Sequence, residues 1–278
     1  SFPLVAFSEE QTDTQANEAT AQDTSLIETS KSGTVNWDAG TVRATGIGVP
    51  PQKVAAPQAR LMTKRAAVAD AYRLLAEAIN GVRVDAESVV KNYVTESDVI
   101  KTKVSALVKG AKIVEEKRMS DGSYEVIMEV SLYGEDGLSS VMLGDKLPAE
   151  EEGAEPTEFE PQAGEITGLI VDVSGLKVEP AMAPKIVDSE GGALYGEFEK
   201  IDPDYVVKYG IVNYVKSMEE AKKDSRAGAN PMVIEGFKVD PKKMFKSDII
   251  VQKDEADKVR AADKKSKFLD AARVVVVI

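Results

Sequence analysis

Two absences limit the side chains that this chain has available for chemistry. The sequence contains no cysteine and no histidine, which excludes thiol nucleophiles, disulfides, Cys/His zinc sites and the commonest general base. Asp172 and Asp270 are the two carboxylates placed like active-site residues of an α/β enzyme, because each adjoins a predicted strand. A carboxylate-dependent hydrolase would need them about 5 to 9.5 Å apart in one cleft. The alternative for both residues is a capping or turn role.

Other motifs for catalysis or cofactor binding are incomplete. Gly46-Ile47-Gly48 resembles the start of a dinucleotide loop, but the third glycine is missing and Pro50-Pro51 stands where the helix should begin. No Walker loop, nucleophile elbow or metal pattern occurs, and the acidic run 148–164 lacks the spacing of an EF-hand. We therefore predict a protein that is not an enzyme and has no cofactor and no metal site.

The longest periodic segment, which must position its neighbours, runs from Pro57 to Gly81. Its apolar residues recur at helical spacing, and the proline at its start and Asn80-Gly81 at its end are typical helix boundaries. We expect an amphipathic helix whose apolar stripe packs on a sheet. The predicted stripe consists of Leu61, Val68, Tyr72, Leu75 and Ile79, flanked by Met62, Ala69 and Ala76.

Strand patterns lie on both sides of this helix. Thr41 to Ile47 alternates before it, and after it Ala111 to Met119 and Ser123 to Tyr133 form a hairpin around an Asp-Gly turn. A second, shorter helix is expected between Ser97 and Gly110. Trp37, the single tryptophan, is interpreted as a core anchor.

Composition divides the chain into four parts. They are a signal-peptide remnant with a flexible leader (1–32), a first domain (33–147), an acidic Pro/Glu linker (148–163) and a second α/β domain (164–278). Val274 to Ile278 is an uninterrupted apolar strand that fits a sheet interior. The predicted fold class is α+β, with each small domain packing helices on a mostly antiparallel sheet.

Location is indicated by the amino-terminal residues and by the charge. Ser1 to Ser8 reads as an apolar run that ends in the small-x-small pattern of signal-peptidase sites, so we expect an exported protein. The alternative is a segment that docks elsewhere. No run approaches about 18 apolar residues, so no transmembrane segment is predicted. A formal charge of -12 argues against nucleic acid as a partner.

Two groups of residues are candidates for binding. Arg60, Lys64 and Arg65 form a basic patch in the first turns of the predicted helix, where the helix dipole disfavours cations. This patch is either a solvated face or the contact for an acidic partner or a neighbouring subunit. In the second domain, Pro180, Pro184 and Lys185 belong to a proline-ordered loop that could hold a small ligand or glycan.

The first domain also carries a family resemblance. The sequence Thr45-Gly46-Ile47-Gly48, the segment from Lys64 to Leu75 with its RAAxxDAYRxL pattern, and Val108-Lys109-Gly110-Ala111 before the hairpin resemble the LPP20 family of bacterial envelope lipoproteins. The same unit, about residues 41 to 133, is similar to the amino-terminal domain of the flagellar assembly protein T. This chain has no lipid-accepting cysteine.

The resemblance implies an exported, non-enzymatic module of the outer membrane or periplasm, which in some members is part of flagellar basal structures. We expect a structural or assembly role through contacts with envelope or flagellar proteins, with a homo-oligomer as one form of contact. Two other hypotheses are a cell-wall glycan or small-ligand binder and the carboxylate-dependent hydrolase.

Overall fold

The computed structural model describes residues 26–144, 159, 162–197, 201 and 203–278. The described strands are β1 (Ile27–Thr29), β2 (Thr34–Asn36), β3 (Thr41–Gly48), β4 (Lys112–Arg118), β5 (Tyr124–Ser131), β6 (Gly168–Asp172), β7 (Ile186–Asp188), β8 (Ala193–Tyr195), β9 (Asn213–Val215), β10 (Pro231–Val239), β11 (Ile249–Val251) and β12 (Val274–Val277). The described helices are α1 (Ala56–Asn80), α2 (Val90–Glu96), α3 (Asp98–Lys109), α4 (Leu138–Leu143), α5 (Pro203–Tyr209), α6 (Met218–Lys223) and α7 (Lys253–Ser266).

Domain one is built on a five-stranded antiparallel sheet, sheet A, with the order β1-β2-β3-β5-β4. The predicted hairpin is confirmed as β4 and β5, and the predicted second helix is α3, whose first turn is capped by the Ser97 hydroxyl. One correction concerns the leader. Strand β1 lies inside the segment predicted to be flexible, because Leu26 is fully buried and anchors it to the core. Residues 1–25 lie outside the described part.

Helix α1 lies directly on β3, and two glycines allow the close contact. A Cβ atom on Gly46 would come within 2.6 Å of the Ala71 Cα, and one on Gly48 within 2.8 Å of the Ala67 nitrogen. Such distances are shorter than real Cβ contacts, so a larger residue at either position would push the helix away. The TGIG segment is therefore a packing motif.

The buried stripe of α1 differs from the one predicted. Its buried residues are small for the first four turns and larger only near the end: Thr63, Ala67, Ala71, Leu75, Ala78 and Ile79. Leu61 is 61% exposed and Met62 is 44% exposed, so assigning them to the core was wrong. The glycine contact selects the alanine face for the sheet, because only small side chains fit where the backbones approach.

Domain two is built on a seven-stranded sheet, sheet B, with the order β8-β7-β11-β10-β6-β12-β9. Four of its strand pairings are parallel and two are antiparallel. The expectation of a mostly antiparallel sheet therefore holds for sheet A and is wrong for sheet B. Helical crossovers place β6, β9, β10 and β12 in the same direction.

The apolar run Val274–Val277 is confirmed as β12, an internal strand buried on both faces. Val274 and Val276 face the main core, whereas Val275 and Val277 face a smaller core under α6. Helix α6 is capped at its start: the Ser217 hydroxyl accepts from the Glu220 N–H, and the Glu220 carboxylate accepts from the Lys216 N–H.

A buried arginine holds the turns at the amino edge of sheet B together. The Arg226 guanidinium donates hydrogen bonds of 2.5 to 3.1 Å to the carbonyl oxygens of Tyr209, Gly210, Ile211 and Ala272. These carbonyls come from two chain segments that are distant in sequence. Because each is satisfied by one always-charged side chain, the geometry of the edge depends on Arg226.

The two domains share one continuous core. Trp37 is buried as predicted, and its ring meets Tyr214 of domain two edge-on with a centroid separation of 6.2 Å. Arg83 pairs with Glu28 and also donates to the Pro180 carbonyl at 2.7 Å. An aromatic contact and a hydrogen bond from a cationic side chain to a backbone carbonyl thus join the two domains at the same place. Of the predicted linker 148–163, the structure describes only 159, 162 and 163.

We predict that Gly46→Ala destabilises the protein by about 1–3 kcal/mol, the usual cost of overpacking. The added methyl group would meet the α1 backbone, which cannot move without lifting the helix from sheet A. Urea unfolding followed by circular dichroism measures the change. Gly175→Ala is the matched control, because nothing lies within 4 Å of a Cβ placed at that position, and it should stay within about 0.5 kcal/mol. Equal stability of both variants would contradict the packing role.

Candidate functional site

The first turns of α1 lie at one end of sheet A. Gly48, the last residue of β3, packs under Thr63, and the β4–β5 turn reaches Pro50, whose Cγ lies 3.6 Å from a Cβ placed on Gly122. The ends of three strands and the start of the longest described helix therefore meet here. This arrangement presents the predicted basic patch at an end of domain one.

Lys64 is engaged within the domain. Its ammonium lies 2.6 Å from the Glu116 carboxylate on β4 and 5.7 Å from the centre of the Tyr124 ring. The hydrogen bond to Glu116 raises the pKa of Lys64 and lowers the pKa of Glu116. Of the three predicted interface cations, Lys64 is thus already used to join α1 to the edge of sheet A.

Arg60 and Arg65 have a different environment. Both are exposed, and among the described residues neither forms an ion pair. Leu61 and Met62 are the two large apolar side chains that α1 leaves in solvent, and Arg65 lies one turn after both. Arg60 directly precedes Leu61 and lies on the opposite side of the helix from Met62. We call these four residues, Arg60, Leu61, Met62 and Arg65, the exposed face of α1. The face combines exposed apolar area with positive charge that no described carboxylate neutralises, a combination enriched at protein interfaces.

The charge of this region is opposite to that of the whole chain. From Ala56 to Ala69 the helix carries three cations and no carboxylate, whereas the chain has a formal charge of -12. The first turn has no acidic residue and no side-chain cap, so its N–H groups add to the local positive potential. An anionic surface is therefore the electrostatic complement of the exposed face of α1.

The loop predicted to hold a ligand has a partner within the chain. Pro180 and Pro184 are buried, and the segment between them lies against domain one. Met182 and Ala183 donate their N–H groups to the Arg83 and Val84 carbonyls at 3.0 and 2.8 Å. Lys185 is exposed, but its backbone N–H donates to Asp248 at 3.0 Å. The structure thus uses this loop to join the two domains, and it leaves only Lys185 accessible.

Asp172 and Asp270 do not share a cleft. Asp172 ends β6, whereas Asp270 precedes β12, and β12 runs parallel to β6. The two carboxylates therefore lie at opposite ends of these two neighbouring strands. Asp270 faces Lys267 at 3.7 Å, and Asp172 accepts from the Ser174 hydroxyl at 2.7 Å, which are turn roles. This geometry removes the pair on which the hydrolase hypothesis was based.

A second charged cluster surrounds the buried side chain of Asp188. Arg260 donates to its carboxylate at 2.7 Å, Lys253 lies 3.3 Å away, and the backbone N–H of Gly192 donates at 2.8 Å. The hydrogen bond from Arg260 is the largest cause that lowers the pKa of Asp188, followed by the one from Gly192. The cluster fastens the β7–β8 turn to α7, so its donors are used internally.

A polar cleft of about 600 Å³ lies along the outer face of sheet A, between the β1–β2 hairpin and β4. Its polar lining is mainly hydroxyl and amide groups: Thr29, Ser30, Ser32, Thr34, Asn36, Thr41 and Thr45. Lys31 and Arg43 add two positive charges and Glu115 adds one negative charge. The cleft offers hydrogen bonds to a polar ligand without a strong net charge.

Two kinds of feature are absent from the described residues. Within them, no group of three or more acidic side chains is arranged to hold a metal ion. No described helix has the length and apolar character to cross a membrane.

Sequence reasoning found the cations of the exposed face but missed its apolar members. Leu61 and Met62 were assigned to the core because they have the spacing of the larger apolar residues. The signal that could have placed them outside is the AxxxA pattern of Ala67 and Ala71, which matches the spacing of Gly46 and Gly48 on the facing strand. Small residues on both elements indicate where two backbones approach.

We predict that Lys64→Glu destabilises domain one, since it places a carboxylate against Glu116. Arg65→Glu should stay within about 0.5 kcal/mol, because Arg65 is exposed and pairs with no described carboxylate. Thermal unfolding compares the two variants. Adding Glu116→Lys to Lys64→Glu should restore stability by reversing the pair. Failure of this double variant to recover any stability would exclude a Lys64–Glu116 interaction.

We predict that the ionised Asp188 side chain stabilises the fold at neutral pH and that this contribution is lost at acidic pH. Its pKa is lowered in the folded state, so the charged form contributes stability that is complete above the unfolded pKa of about 4 and is lost as the pH falls below it. Asp188→Asn should therefore lower stability at pH 7 more than at pH 3. Urea unfolding at the two pH values measures this difference, and Asp254→Asn, on the exposed side of α7, is the control. A pH-independent loss would contradict the electrostatic role.

Two family models match this chain, one in each domain. Residues 45–131 match the LPP20 lipoprotein model, which begins at the Thr-Gly of β3 and ends with β5. Residues 168–278 match the model of the Treponema pallidum Tp0624 second domain, from β6 to the last residue. No curated protein matches the chain. The first domain is therefore similar to the LPP20 lipoprotein family, as its motifs indicated, and is joined to a second domain similar to that of Tp0624.

Proposed function

We propose that this protein is a non-enzymatic structural or assembly module of the cell envelope and that it acts by binding another protein at the exposed face of α1. The LPP20 match indicates an envelope-associated protein. The observation that carries the proposed role is the presence of exposed Leu61 and Met62 between Arg60 and Arg65, neither of which pairs with a described carboxylate. Association with a flagellum stays a prediction from the family resemblance.

The non-enzymatic part of the proposal rests on the available chemistry. The chain has no histidine or cysteine, and Asp172 and Asp270 lie at opposite ends of the neighbouring strands β6 and β12. The pKa of Asp188 is strongly lowered, but its carboxylate already accepts hydrogen bonds from Arg260 and Gly192 of its own domain. These side chains serve the fold, so the exposed surfaces are where interaction with other molecules is expected.

The charge pattern defines the partner. A second copy cannot place its own α1 face here through a two-fold axis, because cations would then meet cations. The complementary surface is acidic at its rim and apolar at its centre, so that Leu61 and Met62 are buried while the guanidiniums of Arg60 and Arg65 pair with carboxylates. Arginine is well suited to such pairs because it binds a carboxylate through two N–H groups.

We predict that a photo-crosslinking residue at position 61, placed by Leu61 substitution, forms a specific protein adduct in intact cells of the source organism. Val99 is the matched control position, since it is apolar, lies in the same domain and is also 61% exposed. Mass spectrometry of the adduct identifies the partner. The same adduct at positions 61 and 99 would indicate non-specific proximity and would overturn the assignment of this face.

Charge reversal provides a second readout of the same interaction. Arg60→Glu combined with Arg65→Glu should abolish the adduct, because both reversals place like charges in the contact. The control pair is Lys91→Glu with Lys101→Glu, which changes the net charge equally at exposed positions of α2 and α3. If both pairs of substitutions reduce the adduct alike, the effect arises from net charge and the role of this face is excluded.

The cleft on sheet A favours a second candidate function, glycan binding. Its hydroxyl and amide lining matches the hydrogen-bonding groups of sugars, although its lining residues include no aromatic ring for stacking. Calorimetry with cell-wall fragments tests this function. Arg43→Ala should weaken any binding, because Arg43 lies in the cleft and is oriented by Glu129. A flat titration would remove this candidate without affecting the proposed role of α1.

A further inference from the structure

One half of sheet B has a face that nothing in the described chain covers. The other half of this face is formed by β6, β9 and β12, and α6 packs on it to make the small core. Over β10, β11 and β7 no described helix lies on the same side. These strands are internal, and mostly parallel sheets normally bury both faces. The exposed half is therefore a surface that requires an explanation.

The uncovered half carries four apolar side chains. Val233 is 45% exposed and Phe237, the extra residue at the β10 bulge, is 50% exposed. Ile250 and Val187 are half-buried neighbours in the register of β11 and β7, and neither belongs to either core. Their strand neighbours Ile249, Val251 and Ile186 point into the main core, so the alternation places these side chains on the opposite face.

Charges of opposite sign flank Phe237 on this surface. On one side Glu235 is exposed beside Asp172, its register partner on β6, and it lies between Val233 and Phe237 on β10. On the other side Lys238 is exposed at the register level of Ile250, and Lys185 precedes Val187 by two residues and follows the same alternation. The Lys238 ammonium lies 5.4 Å from the centre of the Phe237 ring. The strip thus carries acidic groups on one side of Phe237 and basic groups on the other.

We propose that this strip is an interface between two copies of the chain, which stack sheet against sheet about a two-fold axis. A two-fold axis brings the same patch from both subunits together, so a patch must be complementary to itself. Antiparallel stacking places Glu235 of each copy over Lys238 of the other and brings the two Phe237 side chains together at the centre. The exposed face of α1, which has cations alone, fails this requirement.

The proposal is independent of the function assigned to α1, because the two surfaces belong to different domains. A dimer would present two copies of the exposed face of α1 from one assembly. Two linked sites bind a repeated partner more tightly than one site does. Self-association would therefore serve an assembly role without being required for the single contact at α1.

Analytical ultracentrifugation of the full chain over a dilution series tests the proposal. We expect a monomer–dimer equilibrium that Phe237→Glu shifts to monomer at every concentration, because a buried carboxylate would then stand at the centre. Leu61→Glu is the matched control and should leave the equilibrium unchanged, since Leu61 lies on the other surface. Circular dichroism confirms that both variants fold. A wild-type chain that remains monomeric throughout would overturn the proposal.

A charge-swap series separates this interface from any other mode of dimerisation. Glu235→Lys and Lys238→Glu should each weaken the dimer by about tenfold or more, because each brings like charges together across the axis. The double variant should recover most of the loss, since the salt bridges re-form with exchanged partners. Additive weakening in the double variant, or no effect of either single change, would show that the two residues do not meet and would overturn the stacking.

Discussion

The close approach of α1 to β3 is the contact on which domain one depends. Gly46 and Gly48 remove the side chains that would separate strand from helix, and Ala67 and Ala71 provide the complementary small surface. Backbones that approach this closely leave one orientation of the helix possible. That orientation sends Lys64 to the sheet edge and turns the exposed face of α1 towards solvent. A packing constraint thereby creates a candidate binding surface.

The junction between the domains extends this constraint to the whole described chain. Arg83 of domain one pairs with Glu28 of β1 and donates across the junction to the Pro180 carbonyl, while Trp37 packs on Tyr214. The Arg83 side chain is mostly buried, and a guanidinium with charged, carbonyl and aromatic neighbours is costly to leave unpaired. The domains are therefore expected to move as one unit. The Pro180 to Pro184 segment is ordered by this junction. Surfaces on the two domains are consequently held in a defined relation to each other.

Two uncovered surfaces on one acidic chain differ in the symmetry of their charge. Single-sign charge on the exposed face of α1 requires a different molecule as partner, whereas the strip on sheet B, with both signs, is complementary to itself. Both surfaces consist of side chains on helices or strands, which hold their positions more firmly than loop residues do. An assembly role needs these two kinds of contact, one to a partner and one to a copy.

The sequence by itself determined the helix ends at Asn80 and Gly110, the β4–β5 hairpin, the buried strand β12 and the LPP20 match, because caps, turn residues and side-chain periodicity are local. Tertiary structure decided which face of α1 is buried. The periodicity of α1 allows two apolar stripes, and only contact with Gly46 and Gly48 selects the alanines. It also decided the parallel pairing of sheet B and the use of Pro180 and Pro184 at the domain junction, because both depend on segments distant in the chain.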